Sequence, residues 1–213
     1  MNLLVTAGPT REPLDPVRYL TNRSSGKMGY ALADAGARQG HRVTLISGPT
    51  NLDVPTNVDY VPVETAKQMF EATRAHLGRA DAAIFSAAVA DYRPDSLAGK
   101  KIKKSAERLT VELVRNPDIL GSARREFGFG GVLVGFAAET EDLEKNARRK
   151  LRAKGCDLVV ANLVTRPGIG FDSDHNEVLL VYPDRSEALP VETKVHLARL
   201  IVRAVEEALS LRG

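Results

Sequence analysis

The sequence has one cysteine in 213 residues, Cys156, so no intramolecular disulfide can form and no thiolate metal set can be built around it. Its apolar flank of Leu158, Val159 and Val160 marks it as a buried structural thiol. No apolar run approaches the roughly 20 residues needed to span a bilayer. The opening stretch, MNLLVTAG, passes directly into a strand pattern and lacks the basic start and long apolar region of a signal peptide, so a cytoplasmic location with no membrane partner is expected. Neither sign of charge is in excess: 30 Lys and Arg face 27 Asp and Glu, a formal net charge of +3. That balance argues against a nucleic-acid partner, while basic clusters at Lys100–Lys104 and Lys145–Lys154 suit a small anionic ligand. Two phosphate-binding signatures are also missing. No GxGxxG follows the first strand, and the Walker A pattern fails because Lys27 is followed by Met28 and Thr21 stands five residues before Gly26.

What is present reads as an α/β chain. Hydrophobic residues at 43% and charged residues at 27% are ordinary for a globular protein, and the length suits one domain over 1–213. Short Val-, Ile- and Leu-rich strands at Leu3–Val5, Val43–Ile46, Tyr60–Val63, Ala82–Phe85, Val132–Phe136 and Leu158–Ala161 alternate with helical patterns at Gly26–Gln39, Thr65–Leu77 and Thr140–Lys154. Leu109–Val114 alternates as a further strand, and Asn116-Pro117-Asp118 is a strong helix start. Val178–Tyr182 and Ala188–Pro190 flank a hairpin turn at Asp184-Arg185, and Val191–Leu211 closes the chain as a helix. The expected fold is a Rossmann-like three-layer α/β fold with a mostly parallel sheet, plus a lid loop at about 93–108 and a C-terminal strand pair. Ligands in such sheets bind beyond the carboxyl ends of the strands, which directs attention to the loops after Val5, Ile46, Phe85, Phe136 and Ala161.

Five segments there carry chemistry. After Gly8, the first loop leads to Asn22 and then Ser24-Ser25-Gly26-Lys27 at a helix start, where free amides and the helix dipole suit an anion such as a triphosphate; a plain serine cap is the alternative. Ser86-Ala87-Ala88-Val89-Ala90-Asp91 puts small residues after a buried strand, so a ligand can approach the backbone; Asp91 suits a base, a ribose or a metal, or simply caps a turn. Lys100–Lys104 is either a solvated face or a movable cation that closes over phosphate. Phe136 could stack on a base or belong to the core. Lys150 and Lys154 share a helical stripe with Leu143 and Ala147, as ligand groups or snorkelling side chains. Their place late in a helix that should run away from the ligand face has no account in the sequence.

Together the blocks TAGPTREPLDPVRYLTNRSSGKMG, SAAVADYRP, KKIKK, VRNPDIL, GFAAET, ANLV, GFDSDHN and NEVLLV, in this order over nearly the whole chain, resemble the bacterial phosphopantothenoylcysteine synthetases. The resemblance implies a ligase of coenzyme A biosynthesis. In that reaction 4'-phosphopantothenate attacks the α-phosphate of CTP, pyrophosphate leaves, and cysteine then takes the acyl group from the acyl-cytidylate with release of CMP. Mg²⁺ accompanies the triphosphate, with ligands unknown. By motif match, Asn22 and Lys101 are the catalytic asparagine and the lid lysine. The nucleotide site falls on Phe85, Ser86, Ala87, Asp91, Lys101, Pro117, Asp118, Ile119, Leu120, Phe136, Lys150 and Lys154, and the triphosphate or substrate loop on Gly8 and Ser24 to Lys27. The family is dimeric, with Val178 to Tyr182 expected near the contact. Many relatives carry a fused flavin-dependent decarboxylase. This chain starts at the synthetase block, so it resembles either a stand-alone enzyme or one domain of a longer one. The competing classes are an NAD(P)-dependent oxidoreductase, disfavoured by the missing GxGxxG and by a second strand that ends at Ser47-Gly48 without an acidic ribose reader, and a non-catalytic flavin-binding or regulatory module.

Overall fold

The computed structural model describes residues 1–104, 107–163 and 173–212. Its central sheet has eight strands. β1 (Asn2–Ala7), β4 (Arg42–Ser47), β5 (Val58–Pro62), β6 (Ala82–Phe85), β9 (Val132–Glu139) and β10 (Leu158–Leu163) are parallel, and β11 (His175–Val181) and β12 (Ser186–Thr193) add an antiparallel hairpin. The order is β12-β11-β10-β9-β6-β1-β4-β5, so the chain winds outward from β1 in one direction and restarts at β6 in the other. This places a topological switch point between β1 and β6.

Strand periodicity sorts the core. Leu3, Val5, Ile84, Val134 and Val160 face a layer formed by α1 (Lys27–Arg38) and α5 (Lys194–Ser210). Leu4, Ile46, Ala83, Leu133 and Val159 face α2 (Ala66–Leu77), α3 (Ile119–Arg125) and α4 (Leu143–Lys154). Both faces are covered, which is why these strands are almost uniformly apolar. Thr65 caps α2 with a full capping box to Gln68, as the sequence indicated. Asp118 caps α3 by accepting from the Gly121 N–H at 3.0 Å.

Several expectations are corrected. The first loop contains a hairpin, β2 (Arg11–Pro13) with β3 (Tyr19–Thr21). Of the alternating stretch 109–114, only β8 (Leu113–Arg115) forms, because its one partner is the three-residue β7 (Tyr92–Pro94). Neither serine caps α1. Its N-cap is Gly26 at φ 77, a left-handed conformation suited to glycine, with no capping side chain. β9 continues to Glu139 and β12 to Thr193, so α4 and α5 start three residues later than expected. β11 pairs on both sides, and Val178, Leu180, Val181 and Tyr182 are buried in the chain's own core. The exposed edge at this end is β12. The motif residues 164–172 lie outside the described residues.

Candidate functional site

The loops leaving β1 and β6 are knitted together at the switch point. The Ala88 N–H donates to the Gly8 carbonyl at 2.9 Å, and the Thr10 N–H to the Ala88 carbonyl at 3.4 Å. The Ser86 hydroxyl returns to the Thr6 carbonyl at 2.7 Å. The crevice on the β4 side is filled as well. A Cβ at Gly48 would overlap the Pro9 carbonyl oxygen, so only glycine lets the two loops pass.

Two cavities therefore open on either side of the Ala87–Val89 segment. The first, about 510 Å³, lies above α3 and α4 and is lined by Phe85, Asp91, Pro117 to Leu120, Phe136, Lys150 and Lys154, with Tyr92, Arg115 and Asn116 at its rim. The second, about 460 Å³, lies above α1 and α5 and is lined by Asn22, Ser24 to Lys27, Ser86, Phe136, Lys150, Asn162, Asn176 and Lys194, among others. Ala87, Val89, Phe136 and Lys150 belong to both. They form the seam at which groups in the two cavities meet.

The structure answers the difficulty over Lys150 and Lys154. β9 runs four residues past the level of Phe85, which pairs with Gly135. From Leu143, seven helical steps descend about 10 Å, and three strand steps back from Glu139 cover about the same distance, which brings Lys150 level with Phe136. Helical side chains also lean toward the helix start, here toward the ligand face. Lys150 Nζ donates to the Phe136 carbonyl, and Lys154 Nζ meets Asp118 Oδ2 at 2.5 Å.

The charges are tuned by these contacts. Burial pushes the Lys150 ammonium below the ordinary lysine range; Lys154 adds to this, while Cys156, Glu139 and Asp118 oppose it. Burial would raise the Asp118 carboxyl, but Lys154, the Gly121 amide and Arg125 together outweigh it and hold the group below its usual value. Burial drives the Cys156 thiol up to about 12, and the residue is 5% exposed, so it is the inert core thiol its flank suggested.

Not every expected residue converges. Gly8 lines neither cavity; its left-handed turn (φ 70) packs against Gly48 and Thr50. Ser24 to Lys27 line the second cavity and not the one that holds Asp118 and Lys154. Lys101 lines neither cavity. Its loop is fastened to the β2–β3 turn, where the Ile102 N–H donates to Asp15 Oδ2 at 3.1 Å and Arg18 donates to the Ile102 carbonyl at 3.0 Å. The Arg18 guanidinium also pairs with Asp15 at 2.6 Å and holds that carboxyl far below the usual carboxylate range. Asn22 Nδ2 donates to the Ala88 and Val89 carbonyls at 3.3 and 3.0 Å, which sets the amide at the seam. Sequence reading missed Asn162, Asn176 and Lys194. Polar residues at strand ends and a lysine opening a helix look like ordinary surface until the fold is known. Among the described residues, no group of three or more His, Cys, Asp or Glu side chains is placed to hold a metal, and no helix is long and apolar enough to cross a membrane.

Doubly wound topology and two cation-lined cavities meeting at a seam mark this as a Rossmann-type domain. Residues 1–209 match the family described as DNA/pantothenate metabolism flavoprotein, C-terminal domain, and the chain belongs to that family. It is 47% identical over 208 residues to the coenzyme A biosynthesis bifunctional protein CoaBC of Vibrio parahaemolyticus, covering 97% of this chain and 52% of that protein. It is also 47% identical over 205 residues to CoaBC of Escherichia coli K12, covering 95% and 50%. The chain thus spans about half the length of these relatives. Among solved structures, the C-terminal domain of a CoaBC superposes with TM-score 0.84 at 40% identity over 98% of this chain and 95% of that one. The DNA/pantothenate metabolism flavoprotein of Streptococcus pneumoniae superposes with TM-score 0.84 at 25% identity, covering 97% and 99%.

Proposed function

We propose that this chain is a phosphopantothenate–cysteine ligase of coenzyme A biosynthesis, acting through an acyl-cytidylate. The observation that carries the reading is the seam. A nucleotide in the first cavity and an anionic acid in the second share Ala87, Val89, Phe136 and Lys150, so an α-phosphate and a carboxylate can be held within reach of each other. CTP takes the first cavity, with Phe136 against the base or ribose and Lys150 and Lys154 against phosphate. 4'-Phosphopantothenate takes the second, where the Ser24–Gly26 amides, first assigned to the triphosphate, bind an anionic group of the acid.

A carboxylate oxygen attacks the α-phosphorus, and the bond to the bridging oxygen breaks to release pyrophosphate. The cysteine amine then attacks the acyl carbon and displaces CMP. Lys150 offsets charge that builds on the α-phosphate. Asn22, with its N–H groups on backbone carbonyls, offers Oδ1 as an acceptor for the incoming amine. Lys101 completes the charge balance when its loop leaves the Asp15–Arg18 clasp. The donor set of the first cavity fits Mg²⁺ carried in on a triphosphate, an ion held by one or two carboxylates and water. Asp91 would hold it there, since Asp118 is engaged by Lys154 and Arg125. The ion would screen phosphate charge. A homodimer, a cytoplasmic location and a fused or associated flavin decarboxylase belong to the same reading. An oxidoreductase gains nothing from the geometry, because the Pro9 carbonyl occupies the space over Gly48.

Mass spectrometry of an Asn22→Ala reaction with CTP, 4'-phosphopantothenate and cysteine tests the assignment. Acyl-cytidylate should accumulate while product formation falls at least about 100-fold. Wild-type product formation by the variant would remove Asn22 from the mechanism.

A further inference from the structure

Asn22 is placed by a web of contacts centred on Thr10, which itself lines neither cavity. Thr10 is fully buried. Its N–H donates to the Ala88 carbonyl at 3.4 Å, and its hydroxyl oxygen accepts from the Ala90 N–H at 3.0 Å. Its carbonyl accepts from the Thr21 hydroxyl at 2.7 Å. The first two bonds fix the ledge over Ala88–Ala90. The third fixes the last residue of β3, one position before Asn22. Thr10 therefore holds the seam and the approach to Asn22 in a single frame. The Thr21 bond closes a weak element. β2 and β3 are three residues each and form a two-stranded sheet, which by itself is marginal in water. Thr21 pairs with Arg11 at the open end of that hairpin and is not buried, so fraying would begin there.

Asn22 makes two side-chain bonds of its own, to the Ala88 and Val89 carbonyls, but both leave from Nδ2. They fix the nitrogen and not the other anchor of the side chain, its Cα. The place of Oδ1 follows from both. The Cα is set by the chain, and the Thr21 Cα lies only about 3.8 Å away. We propose that Thr21 is a positioning residue for the second half-reaction: its hydroxyl, bonded to the Thr10 carbonyl, holds Asn22 Oδ1 where the cysteine amine arrives. Thr21 lines neither cavity, so it acts through Asn22 and not on a substrate. A displacement on the order of 1 Å at such a group costs about 100-fold in rate. The proposal rests on the reading of Asn22 as the acceptor for the amine.

The test compares wild type, Thr21→Val, Thr21→Ser, Asn22→Ala and the double variant of Thr21→Val with Asn22→Ala. Valine keeps the β-branched shape and removes the donor. Thr21→Val should lower kcat for product formation at least about tenfold and let acyl-cytidylate accumulate. KM for CTP and for the acid, and the pyrophosphate burst without cysteine, should stay unchanged. Thr21→Ser keeps the donor and should restore most of the rate. Added to Asn22→Ala, Thr21→Val should cost nothing more, because the group it serves is already gone. Full activity in Thr21→Val, no rescue by serine, a burst that falls in parallel, or a further loss on top of Asn22→Ala each overturns the proposal. NMR of the Asn22 side-chain amide, assigned by its disappearance in Asn22→Ala, provides a reading independent of turnover. Its protons should exchange with water at least about tenfold faster in Thr21→Val and at the wild-type rate in Thr21→Ser. Equal exchange in wild type and Thr21→Val contradicts the assignment. A wild type that makes no product but shows this difference in exchange sinks the ligase reading and leaves the positioning contact standing. If Thr21→Val does not fold, Thr21→Ala takes its place, with the same outcomes expected.

Discussion

Lys150 is the residue on which both cavities depend, and its environment makes a pH-dependent statement. Its ammonium is held below the ordinary lysine range by burial, so the proton leaves sooner as pH rises and a cation at the seam is lost. Calorimetric titration should therefore show CTP affinity weakening at a pH clearly below the ~10.4 of a free lysine. Lys150→Arg should move that weakening upward, because a guanidinium keeps its charge. An unchanged profile in the arginine variant would mean that another group titrates. Glycine matters at one position for a different reason. A methyl group at Gly48 would collide with the Pro9 carbonyl, and neither backbone can yield without parting the loops that follow β1 and β4. Gly48→Ala should cost about 1–3 kcal/mol by urea titration. A variant as stable as wild type would show that the two loops are not locked as described.

Among the elements, the lysine-rich loop and α3 make separate predictions. The loop is clasped at Asp15, whose carboxyl accepts from Ile102 and from Arg18. The Arg18 guanidinium depresses this carboxyl in the folded protein, so its contribution is fully present above the unfolded value near 3.9 and is lost only as pH falls through the lower folded value. Protection of the Lys100–Lys104 stretch from limited proteolysis should therefore persist to below pH 4 in wild type and disappear at neutral pH in Asp15→Asn. Equal cleavage of the two at neutral pH would place the clasp elsewhere. For α3, Asp118→Ala removes the N-cap and should cost about 1 kcal/mol in chemical denaturation. It also frees Lys154 from its carboxylate partner. A variant with wild-type stability would mean that the cap is not needed.

The legibility of these elements followed from burial. Strands such as Leu3–Val5 and Leu158–Ala161 were readable because both faces are covered and every residue must be apolar. Thr65 was readable because capping is local chemistry; the start at Asn116-Pro117 was readable for the same reason, but the helix begins two residues later, with Asp118 as its cap. The β2–β3 hairpin was not, since three-residue strands such as Tyr19–Thr21 bury little and carry no periodicity. The inward turn of Lys150 depended on how far β9 outruns β6, a length no local pattern encodes. The split of the motif residues into two cavities depended on Ala88 bonding to Gly8, a contact between loops about 80 residues apart in the chain.

At the scale of the molecule, sheet order decides which groups can meet. Winding outward from β1 and restarting at β6 leaves a ledge at Ala87–Val89, with helix layers on opposite faces below it. Each layer contributes the floor of one cavity. The α3–α4 side supplies Asp118, Lys150 and Lys154; the α1–α5 side supplies the Ser24–Gly26 amides and Lys194. The chain covers about half of its CoaBC relatives and nearly all of the solved C-terminal domain. The central claim is that an acid in one cavity is activated by a nucleotide in the other, and pyrophosphate release measured without cysteine tests it most directly. The account predicts a burst of pyrophosphate that needs CTP and 4'-phosphopantothenate together. Pyrophosphate formed from CTP alone, or none with both substrates present, would contradict it.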